Sequence, residues 1–411
     1  MISADAALKI ILSSISVKEE IETISFIESD GRVLAQDIVA GFNIPPADNS
    51  AMDGYAVISR DTEGSTTSNP VELEIAGENR AGGTDHSKTL TPGYAVRIMT
   101  GAHIPQGADA VIPFEDTEET ADRVKIFRAV KKTENIRFAG ESFLTGDTVL
   151  VKGTKIESAH IALLASLNKT EVAVFKKPAV TIISSGDELT EPGPASSGDK
   201  IINSNAYVLM NEVKNTGGIP SNSGIVKDNF EDLKKTIEKA LNGDMVICTG
   251  GVSMGRYDLI PNVLKSLGAE ILFHNISVKP GKPLLFSRIG KCFFFGLPGN
   301  PVSTMVSFIE FVRPAILKIS GSLLYEKPVV KALLKEKIHK QAGRKHFIRG
   351  RFTIVDGLFN VVTTGNQRSD MINSLRDANC LIIIPEEVET VEKNTVVDIQ
   401  LIRHGEIDAT G

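Results

Sequence analysis

Three times between Pro178 and Ser320 an apolar run passes into a glycine- or carboxylate-rich loop and then into a helical pattern: AVTIISSGDEL, DMVICTGGVSMGRYD and KCFFFGLPGNPVS. Each loop precedes a helix, so all three are expected at one edge of a parallel sheet, where α/β proteins collect their ligands. Ser204 is the expected cap of NAYVLMNEVKNTGG, which Gly217 and Gly218 close. Asp228 with Glu231 has the form of a capping box opening DNFEDLKKTIEKALNG. GIPSNSGIV reads as a strand and LIPNVLKSLG as a helix. The stripe Val302, Met305, Val306, Ile309 and Val312 reads as a last helix that Arg313 and Pro314 end.

Outside this region the periodicity changes. Ser3 precedes AALKIILSSI, whose Ala7, Leu8, Ile11, Leu12 and Ile15 fall at helical spacing and predict a serine-capped amphipathic helix. A strand-like ISFIESDGRVLAQDIVA follows. From Ile44 to about Lys132 short alternating runs are broken by glycine and proline, the signature of a small β-rich domain. The stretch 140–175 holds a turn-rich hairpin region and a short helix, ESAHIALLASLN. From Tyr325 onward the pattern is strand-rich again. The expected fold class is therefore α/β plus β-rich domains. A discontinuous N-terminal mixed domain (1–45 and 141–175) would hold an inserted β-rich domain (46–140), followed by an α/β domain (176–324) with a central parallel sheet and a C-terminal β domain (325–411).

Composition narrows the function. A chain of 411 residues is too long for one ordinary core. A net charge of −6 argues against nucleic acid as a main partner, so any bound anion must be held by a local cluster. Cys248, Cys292 and Cys380 lie far apart inside apolar runs and read as reduced core residues rather than a disulfide framework or zinc site. No apolar run approaches the roughly 18 residues of a membrane span, and MISADAALKIILSSIS has no basic leader region, so the cytoplasm is the expected address.

The loops carry the candidate chemistry. TGGVSMG at 249–255 places Gly250, Gly251 and Ser253 in a strand-to-helix turn whose N–H groups can cradle an anion. Its spacing matches neither the P-loop nor the dinucleotide fingerprint, and a plain tight turn is the alternative. In GLPGNP at 296–301, Pro298, Asn300 and Pro301 form a stiff loop that lets a ligand approach the main chain. Asp187, Glu188, Asp228 and Asp258 are expected near the carboxyl ends of neighbouring strands, where one or two of them can hold Mg²⁺ and the metal bridges to substrate phosphates. For Asp228 the competing role is a helix cap. KPGKP at 279–283 offers Lys279 and Lys282 to one small volume, which suits a tetrahedral dianion; a solvated turn is the alternative. The seven histidines show no ligand spacing, and GxSxG is absent. Acids and cations in one crevice imply phosphate, metal and oxyanion chemistry.

Taken together, SAMDGYAV, RIMTGAHIPQGADAV, SSGDEL, TGGVSMGRYD, KPGKP and GLPGNPVS, in that order over nearly the whole chain, resemble the MoeA/gephyrin E-domain family of molybdopterin molybdenumtransferases. The resemblance implies an elongated homodimer of four-domain subunits with the active site between subunits. It implies insertion of molybdate into adenylylated molybdopterin with release of AMP, and a requirement for Mg²⁺. Asp53, Thr100 and Arg137 would face the site, with Asp53 catalytic. Glu188, Asp228 and Asp258 would hold the metal and serve catalysis. Asp187, Gly250, Gly251, Ser253, Pro298, Asn300 and Pro301 would bind the pterin nucleotide, and Lys279, Lys282, Pro283, Ser303, Arg349 and Ser369 the molybdate. Contacts with the adenylyltransferase and with molybdoenzyme acceptors are implied as well. Competing functions are molybdopterin adenylyltransferase, a tungstate-inserting paralogue and a non-catalytic scaffold. One position departs: the family usually reads Gly-Glu-Asp where this chain has Gly140, Glu141 and Ser142. A hydroxyl cannot supply a carboxylate's charge. The departure implies slower hydrolysis, compensation by Glu141 or Asp147, or an altered duty.

Overall fold

The computed structural model describes residues 1–82, 89–193, 199–252 and 259–402. The chain forms two compact units, one of Met1–Ala35, Gly153–Ile161 and Glu171–Gly411, the other of Gln36–Lys152 and Ala162–Thr170.

In the second unit a six-stranded sheet runs in the order 110–113, 54–57, 94–98, 71–79, 123–126, 117–119. Its core is built from alternating inward residues, among them Tyr55, Val57, Leu73, Ile112, Val124 and Ile126. The β-rich reading of this stretch therefore agrees with the structure.

The first unit begins with helix α1 (Ala4–Ser14), whose cap is Ser3: its hydroxyl accepts the Ala6 N–H. The α/β part consists of β1 (Ala179–Ser185), α2 (Ser204–Asn215), β2 (Ile219–Val226), α3 (Phe230–Ala240), β3 (Met245–Thr249), α4 (Ile260–Ser266), β4 (Glu270–His274), β5 (Val278–Lys279), β6 (Leu285–Ile289), β7 (Cys292–Leu297), α5 (Pro301–Ser307) and α6 (Arg313–Ile319). The sheet order is β2-β1-β3-β7-β6-β4. The first four strands are parallel, β6 pairs antiparallel with β7, and β4 pairs antiparallel with β6 at the edge. Successive residues of each parallel strand serve opposite layers. Ile182, Ile247 and Phe295 pack towards α1, α2 and α5, whereas Ile183, Val246 and Phe294 pack towards α3 and α4. Burying such side chains contributes on the order of 2 kcal/mol each. This two-sided burial is why the strands read as continuous apolar runs.

The C-terminal part adds β8 (Val329–Leu334), β9 (Lys345–Val355), β10 (Leu358–Thr363), β11 (Cys380–Ile384) and β12 (Val396–Leu401). They pair in the order β9-β10-β8-β12-β11, and β11 returns to β9, which closes a five-stranded barrel. The short strand β5 joins this barrel rather than the α/β sheet, lying parallel to the start of β9 with Val278 opposite Lys345 and Lys279 opposite His346.

Three local expectations are corrected. Helix α2 is capped by Asn203, whose side chain accepts the Ala206 N–H, and not by Ser204. Helix α3 is capped by Asn229, which accepts from Asp232 N–H, so Asp228 is left uncommitted to the helix. The last helical stretch does not end at Pro314. A π-helical turn, Phe308–Val312, intervenes, in which the Arg313 N–H reaches back to Phe308 O, and α6 continues beyond it. The wider turn resets the hydrogen-bond ladder just before a residue that has no N–H to contribute.

Candidate active site

The carboxyl ends of β1, β3 and β7 lie side by side, because Ser184 pairs with Thr249 and Thr249 with Leu297. The three loops singled out in the sequence therefore open at one edge. Strand β6 runs the other way, with Leu285 opposite Gly296, so the loop that precedes it, 279–283, reaches the same edge from its N-terminal side.

At the end of β1 the Ser185 hydroxyl donates to Asp228 Oδ1 at 2.5 Å, and the Asp228 N–H approaches Asp187 Oδ1 at 3.4 Å. Glu188 turns back over Gly186: a Cβ there would stand 2.7 Å from both Glu188 carboxylate oxygens. Gly250, at φ +87°, approaches the same strand end so closely that a Cβ would lie 2.2 Å from Ser185 O, a conformation and a spacing open to glycine alone. The 298–300 turn is held by two side chains. Asn205 Nδ2 donates to Gly299 O at 2.7 Å, and the Thr304 hydroxyl donates to Pro298 O at 2.6 Å.

These pieces enclose two adjoining compartments. The first, about 530 Å³, is walled by Glu188, Gly250, Gly251 and Pro301, with the exposed isoleucines Ile201 and Ile202 as an apolar side. The second, about 610 Å³, is walled by Lys279, Lys282, Ser303, Arg344, Gln367 and Ser369. Pro283, Pro298, Asn300 and Asp370 border both. Among the described residues the side chains of Lys279, Lys282 and Arg344 have no ion-pair or hydrogen-bond partner. Three uncompensated cations around one cavity create a strong local attraction for an anion in a chain of net negative charge. At the mouth of the KPGKP turn, Gly281 at φ +112° lies against Ser307; a Cβ would meet the Ser307 hydroxyl at 2.8 Å.

The structure thus gathers Glu188, Gly250, Gly251, Pro298, Asn300 and Pro301 in one compartment and Lys279, Lys282, Pro283, Ser303 and Ser369 in its neighbour. Asp187 and Asp228 are exposed and line neither compartment; Asp228 is tied to the first through Ser185, which does line it. Ser253 and Asp258 lie outside the described residues. In the other unit the Asp53 carboxylate accepts both the N–H and the hydroxyl of Thr100, at 2.7 and 2.8 Å, and the N–H bond above all holds Asp53 below the usual carboxylate range. Arg137 is exposed on a two-residue strand, Ile136–Arg137, that pairs with Asn49–Ser50.

Arg349 departs from its expected place. Only 1% exposed, it donates to Ser374 Oγ and to the carbonyls of Asn366, Gln367 and Arg368, so its guanidinium is spent on fixing the loop rather than facing the second compartment. Burial pushes its pKa down to about 10. Conversely Arg344, Gln367 and Asp370 were not singled out in the sequence. GRKHFIRG offers two arginines at a strand start, and nothing local says which one is used by the backbone.

Comparison with known proteins shows the family of the chain. Residues 2–168 match the family described as MoeA N-terminal region (domain I and II), residues 181–318 the probable molybdopterin binding domain, and residues 331–402 the MoeA C-terminal region (domain IV). The chain belongs to the MoeA family. A molybdopterin molybdenumtransferase of Staphylococcus epidermidis is 36% identical over 94% of this chain and 95% of its own length. One from a Nostoc species is 38% identical over 90% and 86%. A crystal structure of a molybdopterin biosynthesis MoeA protein from Pyrococcus horikoshii superposes with a TM-score of 0.86 at 35% identity, covering 98% of this chain and all of that one.

Proposed function

We propose that this member of the MoeA family is a molybdopterin molybdenumtransferase, which inserts molybdate into adenylylated molybdopterin with release of AMP. One observation carries the reading. An acid-flanked compartment with an apolar side shares a wall of four residues with a compartment ringed by unpaired Lys279, Lys282 and Arg344. The first suits a flat pterin and its phosphates: Ile201 and Ile202 take the ring face, and the turn at Gly250 and Gly251 brings main chain to the phosphoryl oxygens. The second suits a tetrahedral oxometalate dianion, molybdate being the substrate and tungstate its nearest analogue. Common bordering residues bring the two substrates together.

A divalent cation is part of this proposal. No group of three or more His, Cys, Asp or Glu side chains is arranged to hold a metal among the described residues. Mg²⁺ needs less, usually one or two carboxylates with waters and substrate phosphates completing its shell. Glu188, folded over Gly186, and Asp228, bonded to Ser185, both offer hard oxygen donors next to the end of β1, so the residues present fit. When bound there, Mg²⁺ would neutralise phosphoanhydride charge as water attacks the adenylyl phosphorus and the pterin phosphate leaves. The chain's own part is positioning. Ser185 orients the Asp228 carboxylate, the 298–300 turn fixes the border between the compartments, and the lysines hold the oxyanion.

The homodimer, the sharing of the site between subunits, the cytoplasmic address and contacts with the adenylyltransferase or acceptor enzymes also belong to the proposal. Among the described residues no helix is long and apolar enough to cross a membrane. The test is incubation of the purified protein with adenylylated molybdopterin, Mg²⁺ and molybdate. AMP should appear with metal-loaded pterin and cease on chelation of Mg²⁺. Release of pyrophosphate from molybdopterin and ATP would instead show an adenylyltransferase.

A further inference from the structure

We infer that His346 is a positioning residue for the oxyanion pocket: its Nε2 accepts a hydrogen bond from the Lys279 ammonium while no anion is bound, and gives the lysine up when one enters. This rests on the reading of the second compartment as an oxyanion pocket and adds to it how one of its two lysines is aimed. The argument starts at the backbone. Strand β5 lies parallel to β9 with Lys279 opposite His346, so the two side chains leave the ladder side by side on one face. That face is the inside of the barrel, because His346 shares it with Ile348 and Phe352 of the barrel core.

A third cavity, of about 240 Å³, opens at this end of the barrel, walled by Lys279, Glu336, Ile338, Lys340, His346 and Gln367. Lys279 thus borders both this cavity and the second compartment. Most of the polar walls are committed. Lys340 Nζ donates to Arg344 O and Glu386 O at 3.1 and 3.0 Å, and Glu336 accepts the Thr363 N–H. Gln367 accepts the Arg349 N–H and donates to Arg349 O, at 3.0 and 3.2 Å. His346 is different: the residue is 7% exposed, and its Nε2 is buried without a partner. Burial above all, with the charges of Lys340, Lys279 and Arg344, pushes its pKa from 6.5 down to about 4. At neutral pH the imidazole is therefore uncharged, and with its proton on Nδ1 it presents a lone pair at Nε2. A buried acceptor left unpaired is costly, and the Lys279 ammonium, with three donors and no partner among the described residues, is the donor at hand. Turned inward it satisfies His346. An oxyanion is the stronger acceptor, so binding draws the lysine outward.

The experiment is imidazole-nitrogen NMR on the full chain with isotope-labelled histidines, the His346 signal being assigned by its loss in His346→Gln. In the anion-free protein, Lys279→Ala should move the His346 Nε2 resonance towards that of a free lone pair, and saturating molybdate should move it the same way in the wild type. Calorimetric titration of molybdate without pterin gives a second readout. His346→Leu, or His346→Phe if the leucine variant fails to fold, should bind molybdate about 2- to 10-fold more tightly, the equivalent of one hydrogen bond no longer given up. His346→Gln, which keeps an acceptor, should stay near wild type. A His346 resonance that Lys279→Ala leaves unmoved overturns the inference while the oxyanion pocket stands, and so does equal molybdate affinity in the apolar variant and the wild type. Absence of molybdate binding to the wild type overturns the pocket, and the release step with it.

Discussion

The side-chain amide of Asn300 donates to the hydroxyl of Ser369 across 2.9 Å, joining the turn after β7 to the loop that Arg349 fixes from the barrel. The Val302 N–H reaches Ser369 O at 3.3 Å alongside it. Both residues border the second compartment, so this contact sets its width. Ser369→Ala should cost about 0.5–1.5 kcal/mol in urea unfolding, as expected for one lost hydrogen bond, and should raise the apparent KM for molybdate more than it lowers kcat. An unchanged KM would show that the contact only braces the fold.

Asp228 and its neighbour Asn229 separate function from capping. Asn229 caps α3, so Asn229→Ala should destabilise by about 1 kcal/mol and leave AMP release nearly intact. Asp228→Asn should do the reverse, lowering AMP release on the order of 100-fold or more with little change in melting temperature, because its carboxylate bonds Ser185 and not the helix. Equal activity in the two variants would remove Asp228 from the mechanism.

Glu310 sits half-buried in the π-helical turn, with its Oε1 buried and unpartnered and with Gln400, Lys345, Lys327 and Arg313 around it. Burial, the dominant influence, raises its pKa from an ordinary 4.5 to about 8. Between those values the unfolded chain is ionised at this position while the folded chain keeps the proton. Folding therefore takes up a proton, and Glu310 removes stability as pH rises from about 4.5 to about 8. Glu310→Gln should gain stability relative to wild type over that window and hold the gain above it. Unfolding free energies measured across the window that run parallel for the two proteins would refute the shift.

Gly250→Ala combines a positive φ with a Cβ placed on Ser185 O. It should cost at least about 1–2 kcal/mol and open the first compartment, which titration with adenylylated molybdopterin would read as weakened binding at unaltered molybdate affinity. Loss of both affinities together would mean that the compartments are not separable.

Ser142 leaves the question of a missing carboxylate. Its N–H donates to Ile44 O, while Glu141 accepts from Phe138 N–H at 3.0 Å and Asp147 from Leu144 N–H at 2.8 Å, each closing its own turn. Neither acid is idle, which favours the substitution as a handicap. Ser142→Asp should then speed AMP release by on the order of 10-fold or more; an unchanged rate would indicate that a carboxylate elsewhere already serves.

What could be read from the residues divides along a physical line. The strands β1, β3 and β7 were legible because burial on both faces writes an unbroken apolar run, and the glycine loops after them because few residues tolerate such turns. The cap of α3 was misplaced by one position, since Asp228 and Asn229 are equally good caps and only the tertiary bond to Ser185 decides between them. The continuation through Pro314 was hidden because a π turn leaves no mark in apolar spacing. Arg344 and Arg349 were indistinguishable in sequence: their roles depend on which one meets the carbonyls of a loop nearly twenty residues away. Local pattern specifies elements, while long-range pairing assigns duties within them.

Lys279 ends the strand that joins the barrel and begins the turn that opens onto the α/β sheet. A gene fragment stopping after α6 would therefore yield more than a lidless enzyme, because that lysine would lose the ladder that aims it. Inheritance of this catalyst is indivisible at that seam: neither module could be exchanged for a distant cousin's without re-setting the same two-residue register.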